Sequence, residues 1–191
     1  MQNIKNIFAA LVIAVAVLLT MSTANAQEQK RQQIDAVAMG TSTQMGRVIS
    51  VKLIINEYST AEDRSALLQA FKERGSEGLT NAVSKMNSKG RISVTGTLGY
   101  DVNFIRNYPQ PDGTTRIRFV TDRPITFGEA WSGTRSMDYS LSMGEIILSP
   151  DKKKSTGTIY PLSMLKLEKG NELGLETYQN PWKLVNIRIS N

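Results

Sequence analysis

The chain contains no histidine and no cysteine. Histidine is the commonest general base and metal ligand in proteins, so its absence excludes Ser-His-Asp and Cys-His mechanisms. Without imidazoles or thiolates, a zinc or copper site would have to use carboxylates alone, and no disulfide can form. The composition therefore favours a non-enzymatic protein that needs no metal and no cofactor, although it leaves carboxylate chemistry open.

Phosphate-binding and nucleic-acid-binding signatures are also missing. There is no glycine-rich loop of the P-loop type and no basic helix or stacking platform, although Lys and Arg number 23 against 17 Asp and Glu. The basic residues are scattered, with a single run at Lys152–Lys154 that suits a solvated hairpin tip. Nucleic acid is thus not an expected partner, while the net charge of +6 favours weak attraction to anionic envelope surfaces.

Carboxylate pairs are the remaining route to catalysis, because two acids can hydrolyse a glycoside. Nothing in the spacing of the acids selects two of them, and solvated surface acids are the ordinary interpretation. A carboxylate-dependent hydrolase is therefore the weakest of the three hypotheses for function. The candidates are Asp101, Asp122, Glu129, Asp138 and Glu145.

The N-terminus has the pattern of a secretory signal. Lys5 precedes an apolar run over residues 7–19, and Ala24-Asn25-Ala26 fits the small-x-small site of a signal peptidase. The thirteen apolar residues are fewer than the roughly 20 that a membrane-spanning helix needs. We therefore expect residues 1–26 to be cleaved, which leaves an exported protein, periplasmic or extracellular, without stable membrane insertion.

The rest of the chain predicts one domain. Residues 27–45 are polar and small, which indicates a flexible lead-in with a short ordered piece around residues 34–39. Ordered structure is expected to begin near Gly46, so that residues 46–191 form a single β-rich domain.

The periodicity of the sequence changes twice. Residues 47–58 alternate as a strand does, and a 3.6-residue period then predicts two helices over about 61–74 and 77–89. Thr60 is the expected N-cap, and Gly75 separates the two helices. Period two returns over 91–106, interpreted as one long strand, and further strands follow short turns.

Short connections make neighbouring strands antiparallel, and a sheet of many twisted strands tends to close or fold over. The predicted fold class is therefore mainly β (α+β). We expect an antiparallel meander forming a barrel or a two-sheet sandwich, with the two-helix insertion between the first and second strands.

Residues 135–143 also alternate, with Met137, Tyr139 and Leu141 on the apolar face. After Gly144 the apolar phase slips by one residue. One extra residue at a glycine is typical of a β-bulge, so a bulge is expected at Gly144 or Glu145.

The loop "FGEAWSGTR", residues 127–135, has no simple structural explanation in the sequence. Glu129, Trp131 and Arg135 are the candidate ligand-binding residues, because an exposed Trp beside an Arg suits a sugar, an aromatic ligand or a partner protein. The alternative is that Trp131 plugs one end of the barrel. The second tryptophan, Trp182, is expected in the core.

The segments "QNPWKLVNI" and "RIRFVTDRPITFGEAWSGTRSMDYSLSMGEI" are similar to a group of small exported bacterial proteins with no assigned activity. The resemblance spans roughly residues 47–191. It implies a single exported domain, and it transfers no functional residue.

The leading hypothesis is an exported, non-enzymatic β-domain that binds a small ligand or an envelope component. A small ligand would require an open interior or a cleft beside Trp131. The alternative is a structural or protein-interaction module of the envelope, which would show a contiguous exposed apolar patch.

Overall fold

The structure is a computed structural model, and it describes residues 31–127, 140–168, 172–177 and 179–190. Within these residues, nine strands form one antiparallel sheet, and a helical segment joins the second strand to the third. The strands are β1 (Gln32–Met39), β2 (Val48–Ile55), β3 (Gly90–Val94), β4 (Tyr100–Pro109), β5 (Thr115–Thr121), β6 (Leu141–Leu148), β7 (Thr156–Glu168), β8 (Glu172–Thr177) and β9 (Trp182–Ser190), and the helix is α1 (Ala61–Lys85).

Eight of the strands close into a barrel. The order β6-β5-β4-β3-β2-β1-β9-β7 returns to its start because β7 also pairs with β6. β7 pairs with β6 and β9 through its first part and with β8 through its second part, so β8 is attached outside the ring. The predicted antiparallel barrel is confirmed. In the described residues, no helix combines the length and the hydropathy required to span a lipid bilayer.

β1 lies inside the sheet and pairs with β2 on one edge and with β9 on the other. Ordered structure therefore begins before Gly46, and β1 contains the short ordered piece expected around residues 34–39. Ile34, Ala36 and Ala38 all point into the barrel and are buried. Alanines give a weak hydrophobic signal in a sequence, but small side chains fit where strands crowd the interior of a narrow barrel.

The helical insertion is confirmed as one segment with a break. Thr60 accepts a hydrogen bond from the Asp63 backbone, and Asp63 accepts one from the Thr60 backbone, so the two form a capping box. The backbone is non-helical at Arg74 and Gly75, where glycine has φ 59°. The segment ends at Lys85, four residues before the predicted end.

Lys89 connects the start of α1 to the sheet. Its ammonium donates to Glu57 Oε1 at 2.8 Å and lies 3.6 Å from Asp63 Oδ2, with the side chain only 13% exposed. The hydrogen bond to Glu57 raises the pKa of Lys89 above its ordinary value, and the nearby Asp63 charge acts in the same direction.

The helical segment covers the outer face of β4, β5 and β6. Leu67, Leu79 and Val83 pack there with Val120, Leu141, Met143 and part-buried Phe104. β6 is therefore apolar on both faces: Leu141 and Met143 face the helix, while Ile146 belongs to the barrel interior. This double coverage produces the phase slip that the sequence shows.

The bulge predicted at Gly144 or Glu145 is wrong. β5 and β6 pair without a shift through Phe119↔Gly144 and Arg118↔Glu145. The irregularity of β6 lies earlier, on its β7 side, between Leu141 and Met143. Gly144 serves packing instead, because a Cβ there would overlap the ring of Phe119.

The long strand predicted over residues 91–106 is a hairpin of β3 and β4. Gly96 (φ 85°) and Gly99 (φ 92°) reverse the chain, since the left-handed region is open to glycine at little cost. Leu98 lies in this turn and is 93% exposed. A register shift between Val102 and Phe104 turns Phe104 towards the helix.

Candidate functional site

The interior of the barrel is filled by side chains. Among the described residues, twenty buried ones form one apolar cluster, in which Trp182 is fully buried and stacks on Phe127 with ring centroids 4.4 Å apart. The prediction that Trp182 lies in the core is confirmed. Eight-stranded barrels are narrow enough for side chains to fill them, so the interior gives no support to a ligand bound inside.

The predicted site residues Glu129, Trp131 and Arg135 fall in residues 128–139, outside the residues that the structure describes. The same holds for Met137, Asp138 and Tyr139. The residues just before this segment are firmly held: Tyr100 Oη lies 2.7 Å from Thr126 Oγ1 and accepts from the Thr126 backbone N–H at 3.0 Å. The site at Trp131 stays a prediction.

A groove of about 600 Å³ lies on the outer face of β9, β1, β2 and β3. Strand register explains its most charged row, because Asp35 is the direct cross-strand partner of Lys52 on one side and of Arg188 on the other. Ser93 on β3 is the direct cross-strand partner of Lys52. These four side chains point outward because the residues that alternate with them fill the barrel.

A register shift on β9 borders the groove on one side, and the turn after β3 borders it on the other. On β9 the register with β1 shifts between Asp35 and Val37, and Asn186 there has φ 53°. Asparagine tolerates this left-handed conformation better than most residues. On β3 the groove ends at the turn that carries Thr95 and Thr97. Hydroxyl groups thus line the side opposite the bulge.

Within the described part of the chain, no ion pair neutralises the cations of the groove. Lys52 and Arg188 are exposed and flank half-buried Asp35, whose Oδ2 accepts a hydrogen bond from Gln33 at 2.7 Å. Neither cation has a hydrogen-bond or ion-pair partner among the residues that the structure describes. The row therefore carries two positive charges around one negative charge.

The same face becomes apolar towards one end of the barrel. Val37 follows Asp35 on the outer face, and Met39 then pairs with Val48. Met39 is 44% exposed and Val48 is 61% exposed. Beside the groove, the outer face therefore changes along the strands from the charged row at Asp35, past Val37, to the exposed apolar pair Met39 and Val48.

A second charged surface lies on the outer face of β4, β5 and β6, next to the part that α1 covers. Arg106, Arg118 and Glu145 form one cross-strand row, and Tyr108 and Arg116 belong to the next. Arg118 Nε lies 2.6 Å from Glu145 Oε2, and Arg116 Nε lies 3.7 Å from it. We call Arg106, Arg116 and Arg118 the arginine face.

The described candidate carboxylates each have an arginine partner. Asp101 lies 3.1 Å from Arg91, Asp122 lies 2.7 Å from Arg123, and Glu145 belongs to the arginine face. No group of three acidic side chains able to hold a metal ion occurs in the described part of the chain. The geometry of these three acids gives no specific support to the hydrolase hypothesis.

Sequence reasoning missed the groove because its residues come from distant parts of the chain. Their signal was present as polar residues alternating with apolar ones, as at Ser50, Lys52, Ser93 and Arg188. Which of these positions become neighbours depends on register, and a register shift of one residue would move all of them to the other face.

The geometry defines a closed antiparallel β-barrel with a packed interior and a polar, cationic groove on its outer face, a fold compatible with a binding domain. No protein-family model, no curated protein and no solved structure matches the chain. The resemblance to small exported bacterial proteins is therefore still a prediction.

Proposed function

We propose that the protein is an exported binding domain that recognises an envelope component in the outer groove of β9, β1, β2 and β3. Export is supported by the signal pattern of residues 1–26. The observation that carries the binding proposal is the pair of unneutralised cations, Lys52 and Arg188, on either side of Asp35. The charges of Asp35, Lys52 and Arg188 indicate the chemistry of the ligand.

An anionic group fits between the two cations. A carboxylate held by Lys52 and Arg188 would receive charge-assisted hydrogen bonds, which are shorter and roughly twice as strong as neutral ones. Asp35 would accept from an amine or hydroxyl group next to that anion, and Thr95 and Thr97 add hydroxyl partners. The exposed pair Met39 and Val48 favours a ligand that also carries apolar groups.

The packed interior of the barrel holds the groove residues in fixed positions. Binding residues on strands of a rigid scaffold hold their geometry better than residues on loops. Ala36, Val51 and Val94, the inward neighbours of the groove residues, belong to the buried cluster of the barrel. The core thereby fixes the spacing of the charges on the outer face.

Soluble peptidoglycan fragments are a suitable probe, because they combine carboxylates, hydroxyls, amines and alanine methyl groups. In a titration followed by calorimetry and by backbone amide NMR, we expect saturable binding with shifts confined to the four groove strands. The double variant K52Q/R188Q should weaken binding at least about tenfold, the loss expected for one charge-assisted hydrogen bond or more.

The matched control is R106Q/R118Q, which removes the same number of positive charges from another surface. It should bind the fragments as the natural chain does. Equal weakening in both double variants would show attraction to net charge and would overturn the groove proposal. So would saturable binding whose NMR shifts lie outside β1, β2, β3 and β9.

A protein-interaction module is a second candidate, favoured by where the exposed apolar residues lie. Of the five exposed large hydrophobic residues among those described, four occur where β1 and β3 end and β2 and β4 begin, which is one end of the barrel: Met39, Met45, Val48 and Leu98. The fifth, Ile189, lies near the end of β9. Photo-crosslinking from position 45 in exporting cells should then give one discrete protein adduct. Position 112, exposed in a turn at the opposite end, is the control, and equal labelling from both positions would reject the candidate.

A further inference from the structure

We propose that the arginine face docks the protein onto a bilayer surface rich in anionic phospholipid headgroups. This surface is separate from the groove and goes beyond the proposed ligand binding. Three features of the face carry the proposal: like charges placed directly opposite each other, an incomplete set of counter-charges, and continuity with a lysine-rich turn.

Arg106 on β4 and Arg118 on β5 are direct cross-strand partners. Like charges in such positions repel each other and destabilise a sheet, so folding gains nothing from the pair. Arg116, one row further along β5, adds a third guanidinium to the same outer face. Glu145 offsets part of this repulsion, and an anion from outside would offset more of it.

The counter-charges that the protein supplies are too few. Glu145 is shared by Arg118 at 2.6 Å and Arg116 at 3.7 Å. Arg106 has no carboxylate partner among the described residues and lies over the ring of Tyr108 at 5.6 Å. Phosphate oxygens would supply what is missing, because guanidinium forks match phosphate geometry.

The face continues into the basic turn between β6 and β7. Gly113, in the turn between β4 and β5, lies against Pro150 and so places the two turns side by side. Lys152, Lys153 and Lys154 are exposed there, with Asp151 3.7 Å from the Lys154 ammonium. The basic groups therefore run from the middle of the barrel wall to its end.

The extent of this surface favours a bilayer over a single soluble anion. Strands lie about 4.8 Å apart and rise about 3.4 Å per residue, so the six basic residues span roughly 15–20 Å. They stand on an outward-curving wall, where several headgroups can be contacted at once. Tyr108 and Ile147, both half-buried, lie among the arginines and suit the boundary between headgroups and water.

The test is co-sedimentation with vesicles, using the chain purified after export with its N-terminus read by mass spectrometry. Vesicles of phosphatidylcholine with about a third phosphatidylglycerol should bind it, whereas pure phosphatidylcholine should not. Each Lys or Arg near an anionic surface contributes about 1 kcal/mol, so R106Q/R118Q should lower the partition coefficient roughly 30-fold. Raising the salt should also release the protein, because the face is exposed.

Two further variants make the outcome specific. K52Q/R188Q removes as many charges from the groove, and it should partition within about threefold of the natural chain. E145Q removes the competing carboxylate and should tighten binding. Circular dichroism and thermal melts verify that all variants are folded, so loss of binding is not loss of structure.

The proposal is overturned if both double variants lose binding equally, if E145Q weakens it, or if neutral vesicles bind as well as anionic ones. Binding to soluble dextran sulfate without binding to anionic vesicles would also overturn it, in favour of a polysaccharide partner. Because the groove variant is tested in parallel, a negative result with vesicles does not change the conclusion drawn from peptidoglycan binding.

Discussion

Gly144→Ala is expected to destabilise the barrel through a single contact. Gly144 on β6 is the cross-strand partner of Phe119, a residue that is 1% exposed and belongs to the barrel core. A Cβ at position 144 would meet three ring carbons of Phe119, and the farthest of the three is 2.9 Å away. Non-bonded carbons stay about 3.5–4.0 Å apart, so the ring or the strand would have to move by about 1 Å or more.

Two effects oppose each other in this substitution. Gly144 does not have positive φ, so alanine can adopt the backbone conformation and gains about 0.5–1 kcal/mol in chain entropy. Forcing a methyl group into a packed core costs about 1–3 kcal/mol and sometimes more. With a buried aromatic ring as the obstacle, the steric cost wins, and we expect a net loss of about 2 kcal/mol.

The assay is urea and thermal unfolding of a double-mutant cycle with Phe119→Leu. For a domain of this size a loss of about 2 kcal/mol lowers Tm by roughly 4–8 °C. Phe119→Leu alone should cost about 1–2 kcal/mol in lost apolar burial. The double variant should cost less than the sum of the two single changes, because the smaller side chain removes the clash.

Two results would contradict this explanation of Gly144. If Gly144→Ala were neutral, or if the two changes were additive, Gly144 would not be there to accommodate the ring of Phe119. A bulge at Gly144 would give that result, since the effect of alanine would then be independent of residue 119.

Three other predictions follow from the described contacts. Lys89→Met should lower the free energy of unfolding by about 1.5–3 kcal/mol by removing the charged hydrogen bond to Glu57. The raised pKa of Lys89 means that this contribution is complete below about pH 10 and is lost as pH rises through the folded pKa, so natural chain and variant should converge in alkaline urea melts. Because Trp182 is fully buried, any acrylamide quenching of fluorescence should vanish in Trp131→Phe, and quenching that persists would place Trp182 in solvent. Mass spectrometry of the exported chain should give an N-terminus after Ala26, and a retained leader would refute the signal assignment.

Much of the fold could be predicted because local patterns agreed with it. Thr60 and Gly75 mark the start and the break of the helical insertion by their own cap chemistry and backbone freedom. Alternation identified β2, where Val51, Leu53 and Ile55 face the core. These signals lie within a few residues of each other and need no knowledge of distant contacts.

The errors arose where a neighbour distant in sequence decided the structure. β1 was underestimated because Ala36 and Ala38 carry little hydrophobic signal, yet strands on both sides bury them. The slip at Gly144 suggested a bulge because the helical cover on β6 was not visible from the strand itself. The candidate site at Trp131 rested on composition alone, and it still awaits a test.

The sequence by itself determined that histidine and cysteine chemistry are absent, that an export signal pattern precedes the domain, and that antiparallel strands surround a helical insertion. Only the tertiary structure decided that the barrel interior is filled and that Asp35 lies between Lys52 and Arg188. The physical reason is that composition and periodicity are local, whereas a surface on a barrel is made by cross-strand register. Register is set when the strands close, and closure brings together residues more than a hundred positions apart.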